Sequence, residues 1–156
     1  MGSDARAVLV YGYDLGGPDS EWKIPESVVD FIDNYHNPED DFATNLEELI
    51  LRELVRFTED YPSEEVKQKD PKAVSEYYQR RREAELKVPI KVELYSSYDY
   101  PGYLIGTQVH RANDWSAKEI VIELDHSASN KFEALFRAWN YRIETEPKWI
   151  LAPFYG

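Results

Sequence analysis

Apolar residues recur along the chain with two different periods, and these periods predict its helices and strands. From Phe42 to Tyr61 the spacing is helical, and one apolar stripe contains Phe42, Leu46, Leu49, Ile50, Leu54 and Phe57. A second helix is expected from Asp70 to about Leu86, capped by the aspartate. A third should start at Ser129 or Asn130 and reach Ile143, and a short one should lie near Val28.

Alternating apolar and polar positions predict the strands. Ala5–Leu15 should form a buried strand that ends at a glycine-rich turn, and Lys148–Tyr155 a terminal strand. Ile90–Tyr95 and Tyr103–Ala112 should pair as a β-hairpin with a wide tip. Glu119–Leu124, which follows Trp115, is expected to be a further strand.

These elements predict one α+β domain over residues 1–156. The expected order is β-α-α-β-β-β-α-β, with a largely antiparallel sheet of about five strands and three to four helices packed on it. A chain of 156 residues is long enough to bury a substantial core. Met1–Ser3 is compatible with a remnant of an expression vector.

The composition excludes several classes of protein. Without cysteine there is no disulfide, thiolate metal site or cysteine nucleophile, and an intracellular setting is favoured. The first residues lack the apolar core of a signal peptide, and no window approaches the length of a membrane span. We therefore expect a cytoplasmic protein without a membrane partner.

The charge is concentrated in the first 65 residues. They hold 17 acidic side chains against four basic ones, whereas the whole chain has a net charge of −12. This field opposes direct binding to nucleic acid and leaves cations, basic proteins or imitation of nucleic acid as options. Asp40, Asp41, Glu47 and Glu48, before and along the first long helix, are the candidate acidic binding residues.

The hairpin tip is rich in tyrosine. Its candidate contact residues are Tyr95, Tyr98, Asp99, Tyr100 and Tyr103. Tyrosine offers a large amphipathic contact area with little rotamer entropy to lose, which suits a protein-contact loop. The alternative is that alternate tyrosines pack against helices and the others line a sheet face.

Catalytic chemistry has weaker support. None of the three histidines has a partner at metal-ligand spacing, so we predict no metal site and no cofactor. Asp14, His110 and His126 are the residues to inspect for catalysis. The alternative function is a small divalent-cation-dependent hydrolase or nuclease that uses Asp14 and His110, which requires both to share one pocket. Asp14 could equally bond the amides of its own turn.

Both ends of the chain carry a resemblance. The segment VYGYDLGGP, followed by Trp22-Lys23, and the C-terminal Lys148-Trp149-Ile150-Leu151 resemble a group of small hypothetical proteins of actinobacteria and their phages. The resemblance implies a setting, that of a phage or mobile-element accessory protein that binds a host factor, and it assigns no residue a role.

These observations favour a non-enzymatic acidic binding or modulator protein whose partner is a basic host protein. DNA mimicry is a special case of this function. The basic run Arg80-Arg81-Arg82 could also complement the acidic half of a second copy, which would give a homo-oligomer.

Overall fold

The computed structural model describes residues 5–113 and 117–155, which form an α+β domain of four strands and five helices. In chain order the elements are β1 (Ala5–Gly16), α1 (Glu26–Asp33), α2 (Phe42–Glu53), α3 (Glu64–Lys69), α4 (Ala73–Glu85), β2 (Lys91–Ser96), β3 (Pro101–Asn113), α5 (Ala128–Ala138) and β4 (Lys148–Tyr155). The α+β class is confirmed.

The four strands form one sheet that closes on itself in the order β1-β3-β2-β4. The long strand β1 pairs antiparallel with both β3 and β4, and the expected hairpin of β2 and β3 is antiparallel too. β2 and β4 meet in parallel at a single pair, Ser96 with Phe154. At Gly12 the strands approach so closely that a Cβ atom would lie 1.8 Å from the carbonyl oxygen of Ile105, which only glycine avoids.

The core has two main parts, one on each face of the sheet. On the outer face, α1, α2 and α5 bury side chains such as Ile32, Leu46 and Phe132 against the strands. A smaller cluster made of strand residues alone, including Val10 and Leu104, fills the inside of the closed sheet. Each fully buried aliphatic or aromatic side chain contributes roughly 1.5–3 kcal/mol relative to exposure, so the outer cluster holds these helices in place.

The expected strand at Glu119–Leu124 does not form. Residues 117–124 have no regular structure, and Val121, Ile122 and Leu124 are 77%, 55% and 55% exposed. The segment contacts the sheet through the side chain of Gln108, whose Nε2 donates to the carbonyl of Glu123 at 2.7 Å, and its backbone pairs with none of the described strands. The predictions for Met1–Ser3 and Trp115 concern residues outside the described part of the chain.

Helix α2 is shorter than its apolar stripe predicts. It ends at Glu53, and Arg56 then takes a left-handed conformation with φ of 66°. The turn brings the amide of Phe57 to the carbonyl of Leu51, at 3.1 Å, and places the Phe57 ring in a small separate cluster with Tyr77 of α4. The chain after α2 thus turns back along it.

The remaining helix boundaries differ by a few residues from expectation. The short helix α3, which the sequence analysis does not predict, lies between α2 and α4 and is capped by Ser63. Asp70 bonds the amide of Lys72, and α4 begins at Ala73. α5 begins at Ala128 and ends at Ala138, shortly before Asn140 takes a φ of 53°.

Candidate protein-contact site

Nine carboxylates between β1 and the middle of α2 form what we call the acidic face: Asp19, Glu21, Glu26, Asp30, Asp33, Glu39, Asp40, Asp41 and Glu47. Seven of these residues are exposed and two are half-buried. None of the nine forms an ion pair with any residue of 5–113 or 117–155. Lys23 is the one lysine or arginine within this stretch of sequence, and it pairs with Asp14 at 2.8 Å.

Electrostatic effects on Tyr103 show that distant parts of the acidic face converge. Burial raises the pKa of the Tyr103 hydroxyl. The neighbouring negative charges of Asp41, Asp33 and Asp19 raise this pKa further. The Trp22 ring stacks on Tyr103, with a centroid distance of 6.0 Å, and fixes the segment that follows Asp19. Asp19, Asp33 and Asp41 therefore lie near the same buried tyrosine.

A buried asparagine positions the loop between α1 and α2. Asn45 is fully buried, and its Oδ1 accepts hydrogen bonds from the amides of His36 and Asn37, at 3.2 and 3.0 Å. Its Nδ2 donates to the carbonyls of Asp33 and Asn37, at 3.0 and 2.9 Å. This side chain orders the loop that carries Glu39–Asp41. Sequence analysis missed it, although an asparagine inside an apolar helical stripe is itself a signal.

Most acids between Glu48 and Glu65 are paired with cations. From Glu48 onward, α3, α4 and Arg52 supply cations to five acids: Glu48 pairs with Arg52 and Arg81, Asp60 with Arg52, Glu59 with Arg80, Glu64 with Lys67, and Glu65 with Lys69. Among the described residues up to Glu65, the acids without a cationic partner therefore occupy a shorter stretch than the sequence indicates. They lie before Glu48, apart from Glu53, which accepts a hydrogen bond from the Tyr35 hydroxyl at 2.8 Å.

Glu48 does not face solvent, so that expectation is wrong. It is 6% exposed and accepts a short hydrogen bond from Arg81, which also donates to the hydroxyl of Tyr77 at 3.2 Å. Arg52 lies 3.6 Å away on the same helix. Glu48 thus joins α4 to α2. Of the four acidic residues expected to bind, the structure places Asp40, Asp41 and Glu47 on the acidic face.

The tyrosines of the hairpin divide into two groups. Tyr95 and Tyr103 are structural, because Tyr103 is buried and the Tyr95 hydroxyl donates to Asp14 at 2.8 Å. Burial, helped by this hydrogen bond and the charge of Asp14, raises the pKa of Tyr95 to about 12. Tyr98 and Tyr100 are each 67% exposed. The exposed tip therefore presents Tyr98, Asp99 and Tyr100.

The base of this tip touches the loop that begins the acidic face. Gly17 lies so close to Pro101 that a Cβ atom would be 2.0 Å from the proline carbonyl oxygen. Asp19 follows two residues later. The Tyr98 ring rests edge-on against Phe154 of β4, at 5.0 Å. The tip thus adjoins the Asp19 end of the acidic face.

Asp14 is occupied by structural contacts. Its Oδ1 accepts from the amide of Gly16 and from the Tyr95 hydroxyl, both at 2.8 Å, and its Oδ2 pairs with Lys23. These bonds tie the end of β1 to β2 and to the following loop. Each oxygen of the carboxylate therefore has at least one structural partner.

His110 and Asp14 do not share a pocket. His110 pairs with Leu9 in the sheet, whereas Asp14 pairs with Leu104, about 17 Å further along β1 at 3.3–3.4 Å per residue. The two line different cavities, and the His110 ring lies 6.1 Å from the Trp149 ring. His126 is exposed in the turn before α5. Across the described residues, no three histidine or acidic side chains are grouped to hold a metal ion.

None of the helices in the described parts of the chain has the length and apolar content needed to cross a membrane. Comparison with known proteins finds no family model, curated sequence or solved structure that matches the chain. The resemblance to proteins of actinobacteria and their phages therefore stays a prediction.

Proposed function

We propose that the chain is a non-enzymatic binding protein whose acidic face binds a basic segment of a partner protein. The observation that carries the proposal is the uneven pairing of its acids. Those of the acidic face have no cationic partner among the described residues, whereas Glu48, Glu59, Asp60, Glu64 and Glu65 all do.

The uncompensated charge costs the fold free energy. Burial raises the pKa of Asp33 and the neighbouring Asp30 raises it further, so the ionised form of Asp33 is disfavoured in the folded protein. A basic partner would supply the missing cations and recover that cost. Solubility alone needs negative charge, but not its concentration in one stretch of the chain without cationic partners.

The acidic face also offers an apolar contact. Phe31 of α1 is 41% exposed, packs edge-on against Tyr35 at 5.7 Å, and lies next to Asp30 in sequence. An exposed aromatic ring among carboxylates suits lysine and arginine side chains, whose aliphatic stems cover apolar surface and whose cations interact with ring faces. DNA mimicry is the special case in which the partner normally binds duplex DNA.

The test is binding of a fluorescent lysine- and arginine-rich peptide, measured by anisotropy at about 0.05 M and about 0.5 M salt. The triple variant Asp30→Asn, Asp33→Asn, Asp40→Asn removes three unpaired charges. It should weaken binding about tenfold at low salt, since exposed charge pairs contribute about 0.2–1 kcal/mol each. High salt should abolish most binding by the parent protein.

The matched control is Glu59→Gln, Glu64→Gln, Glu65→Gln. It changes the net charge by the same three units but removes acids that Arg80, Lys67 and Lys69 already neutralise. We expect less than a twofold effect. An equal loss in both triple variants, or no peptide binding by the parent protein, contradicts the proposal.

A further inference from the structure

A cavity of about 590 Å³ lies between α2, the end of α4 and strands β2 and β3. Its floor is aliphatic, formed by Ile50, Leu51, Val88, Ile90, Val92 and Val109. Ligand sites in proteins enclose roughly 300–1,000 Å³, so this cavity is large enough for a long side chain of a bound partner. Glu47 lines it and belongs to the acidic face, so the two are continuous.

Two arginines on the cavity wall are already neutralised. Arg81 donates to Glu48 and, from its Nε at 3.1 Å, to Glu85. Arg111 of β3 forms a two-pronged ion pair with the buried Glu93 of β2. Neither guanidinium is therefore free to attract an anion or to repel a cation strongly.

The remaining two charged side chains of the cavity, Lys91 and Glu47, differ in their partners. The Lys91 ammonium donates to the backbone carbonyl of Glu85 at 3.2 Å. Glu47 forms no hydrogen bond or ion pair with any described residue through its carboxylate. Desolvation by the cavity wall raises the pKa of Glu47, and the charges of Asp41 and Glu85 raise it further, while Arg81 lowers it. Glu47 is therefore the one carboxylate of the cavity lining that has no ion-pair or hydrogen-bond partner among the described residues, whereas the Lys91 ammonium has a backbone partner but no acidic one.

We infer that the cavity receives one lysine or arginine side chain of the bound basic segment. The aliphatic stem would lie along the floor and the cation would reach Glu47. This inference rests on the proposed function, which supplies the basic segment, and adds to it a specific anchoring site. Lysine and arginine suit the cavity because each joins an apolar stem to a cationic head.

Other ligand chemistries match the cavity less well. A neutral aliphatic ligand would leave Glu47 uncompensated. An anion would meet Glu47 and Glu85 on the same wall. A small cation without a stem would leave the aliphatic floor uncovered.

The test uses N-acetyl-arginine methylamide and N-acetyl-lysine methylamide as probes, titrated to millimolar concentration into the protein with labelled methyl groups. Methyl resonances of Ile50, Val88 and Ile90 should shift in a saturable manner with one or both probes. N-acetyl-norleucine methylamide, which has the stem without the charge, should bind at least fivefold more weakly.

Glu47→Gln tests the anchoring charge, because it removes the charge and keeps the size of the side chain. It should weaken probe binding by at least fivefold. The matched control is Glu39→Gln, which removes one charge of the acidic face outside the cavity and should change probe affinity less than twofold. Melting temperatures of both variants establish that each is folded.

The outcomes separate this inference from the proposed function. If the basic peptide binds in a salt-sensitive manner but the probes leave the cavity methyl groups unshifted, the anchoring site is wrong and the proposed function stands. If Glu47→Gln and Glu39→Gln weaken probe binding equally, the anchoring site is also wrong. If neither peptide nor probes bind, both proposals are overturned.

Discussion

Replacing Asn45 by alanine should destabilise the protein strongly and loosen the acidic face at the same time. The side chain is fully buried and bonds four backbone groups within 3.2 Å, namely two amides and two carbonyls of the loop between α1 and α2. Each such bond contributes about 0.5–1.5 kcal/mol net, and a buried group left unpaired costs more. Once the loop opens, water can satisfy part of these backbone groups. We therefore expect the free energy of unfolding to fall by about 3 kcal/mol in total.

The assay is urea unfolding followed by circular dichroism, with thermal unfolding as a second measure. A loss of about 3 kcal/mol corresponds to a fall in melting temperature of roughly 6–12 °C for a domain of this size. Asn34→Ala is the matched control. Asn34 lies in the same region but is exposed, and its Nδ2 donates one bond, to the carbonyl of Asp30 at 2.7 Å. The control should cost less than about 1 kcal/mol.

Equal losses in Asn45→Ala and Asn34→Ala would refute this reasoning, since it depends on burial and on the number of bonds. The loop should also loosen below the melting temperature. Amide hydrogen exchange at His36 and Asn37, whose amides donate to Asn45, should therefore become faster in Asn45→Ala and stay unchanged in the control.

Three further outcomes follow from the contacts described above. Arg81→Met should cost about 3 kcal/mol in urea unfolding because it leaves the buried Glu48 with only the more distant Arg52, whereas Arg80→Met should cost at most about 1 kcal/mol. Equal losses of stability in these two variants would contradict the role of the buried ion pair between Glu48 and Arg81. The hydrogen bond from the Ser127 hydroxyl lowers the pKa of Asp125 to about 2. Ionised Asp125 therefore stabilises the folded protein above the unfolded pKa of about 3.9, and this stabilisation is lost as the pH falls towards 2. Unfolding curves of Asp125→Asn should thus differ from the parent at pH 7 and converge near pH 2. Val121→Asp should change the free energy of unfolding by at most about 0.5 kcal/mol, because Val121 is exposed. A loss above about 2 kcal/mol would indicate that Val121 is buried, as the expected fifth strand requires.

The local patterns of the sequence predict most of the elements. The helix at Phe42, the hairpin and both terminal strands are recognisable because their apolar periods coincide with the faces that they bury. The aspartate cap is equally local, since Asp41 bonds the amide of Thr44 at 2.7 Å. Each of these features is marked by residues that are close together in the sequence.

The features that the sequence does not reveal depend on distant partners. Val121 and Ile122 favour a strand locally, but a strand also needs a neighbour to pair with, and their backbone pairs with none of the described strands. Glu48 looks like a surface acid until Arg81, 33 residues away, is placed against it. The end of α2 depends on the left-handed turn at Arg56, which no strong local signal marks.

The candidate site was predictable only as a region. The count of acids located it in the first 65 residues, but the count cannot distinguish paired from unpaired carboxylates. That division depends on where α3 and α4 place their lysines and arginines. It excludes Glu48 from the acidic face and leaves Asp40, Asp41 and Glu47 on it.

The most direct test of the central claim is a ¹H–¹⁵N titration of the protein with the basic peptide. The account predicts that amide shifts concentrate in α1, in the loop around Asn37–Asp41 and at Glu47, and that they vanish at high salt. Shifts that concentrate instead on α3 and α4, where the acids are already paired, would contradict the account, as would shifts spread evenly over the surface.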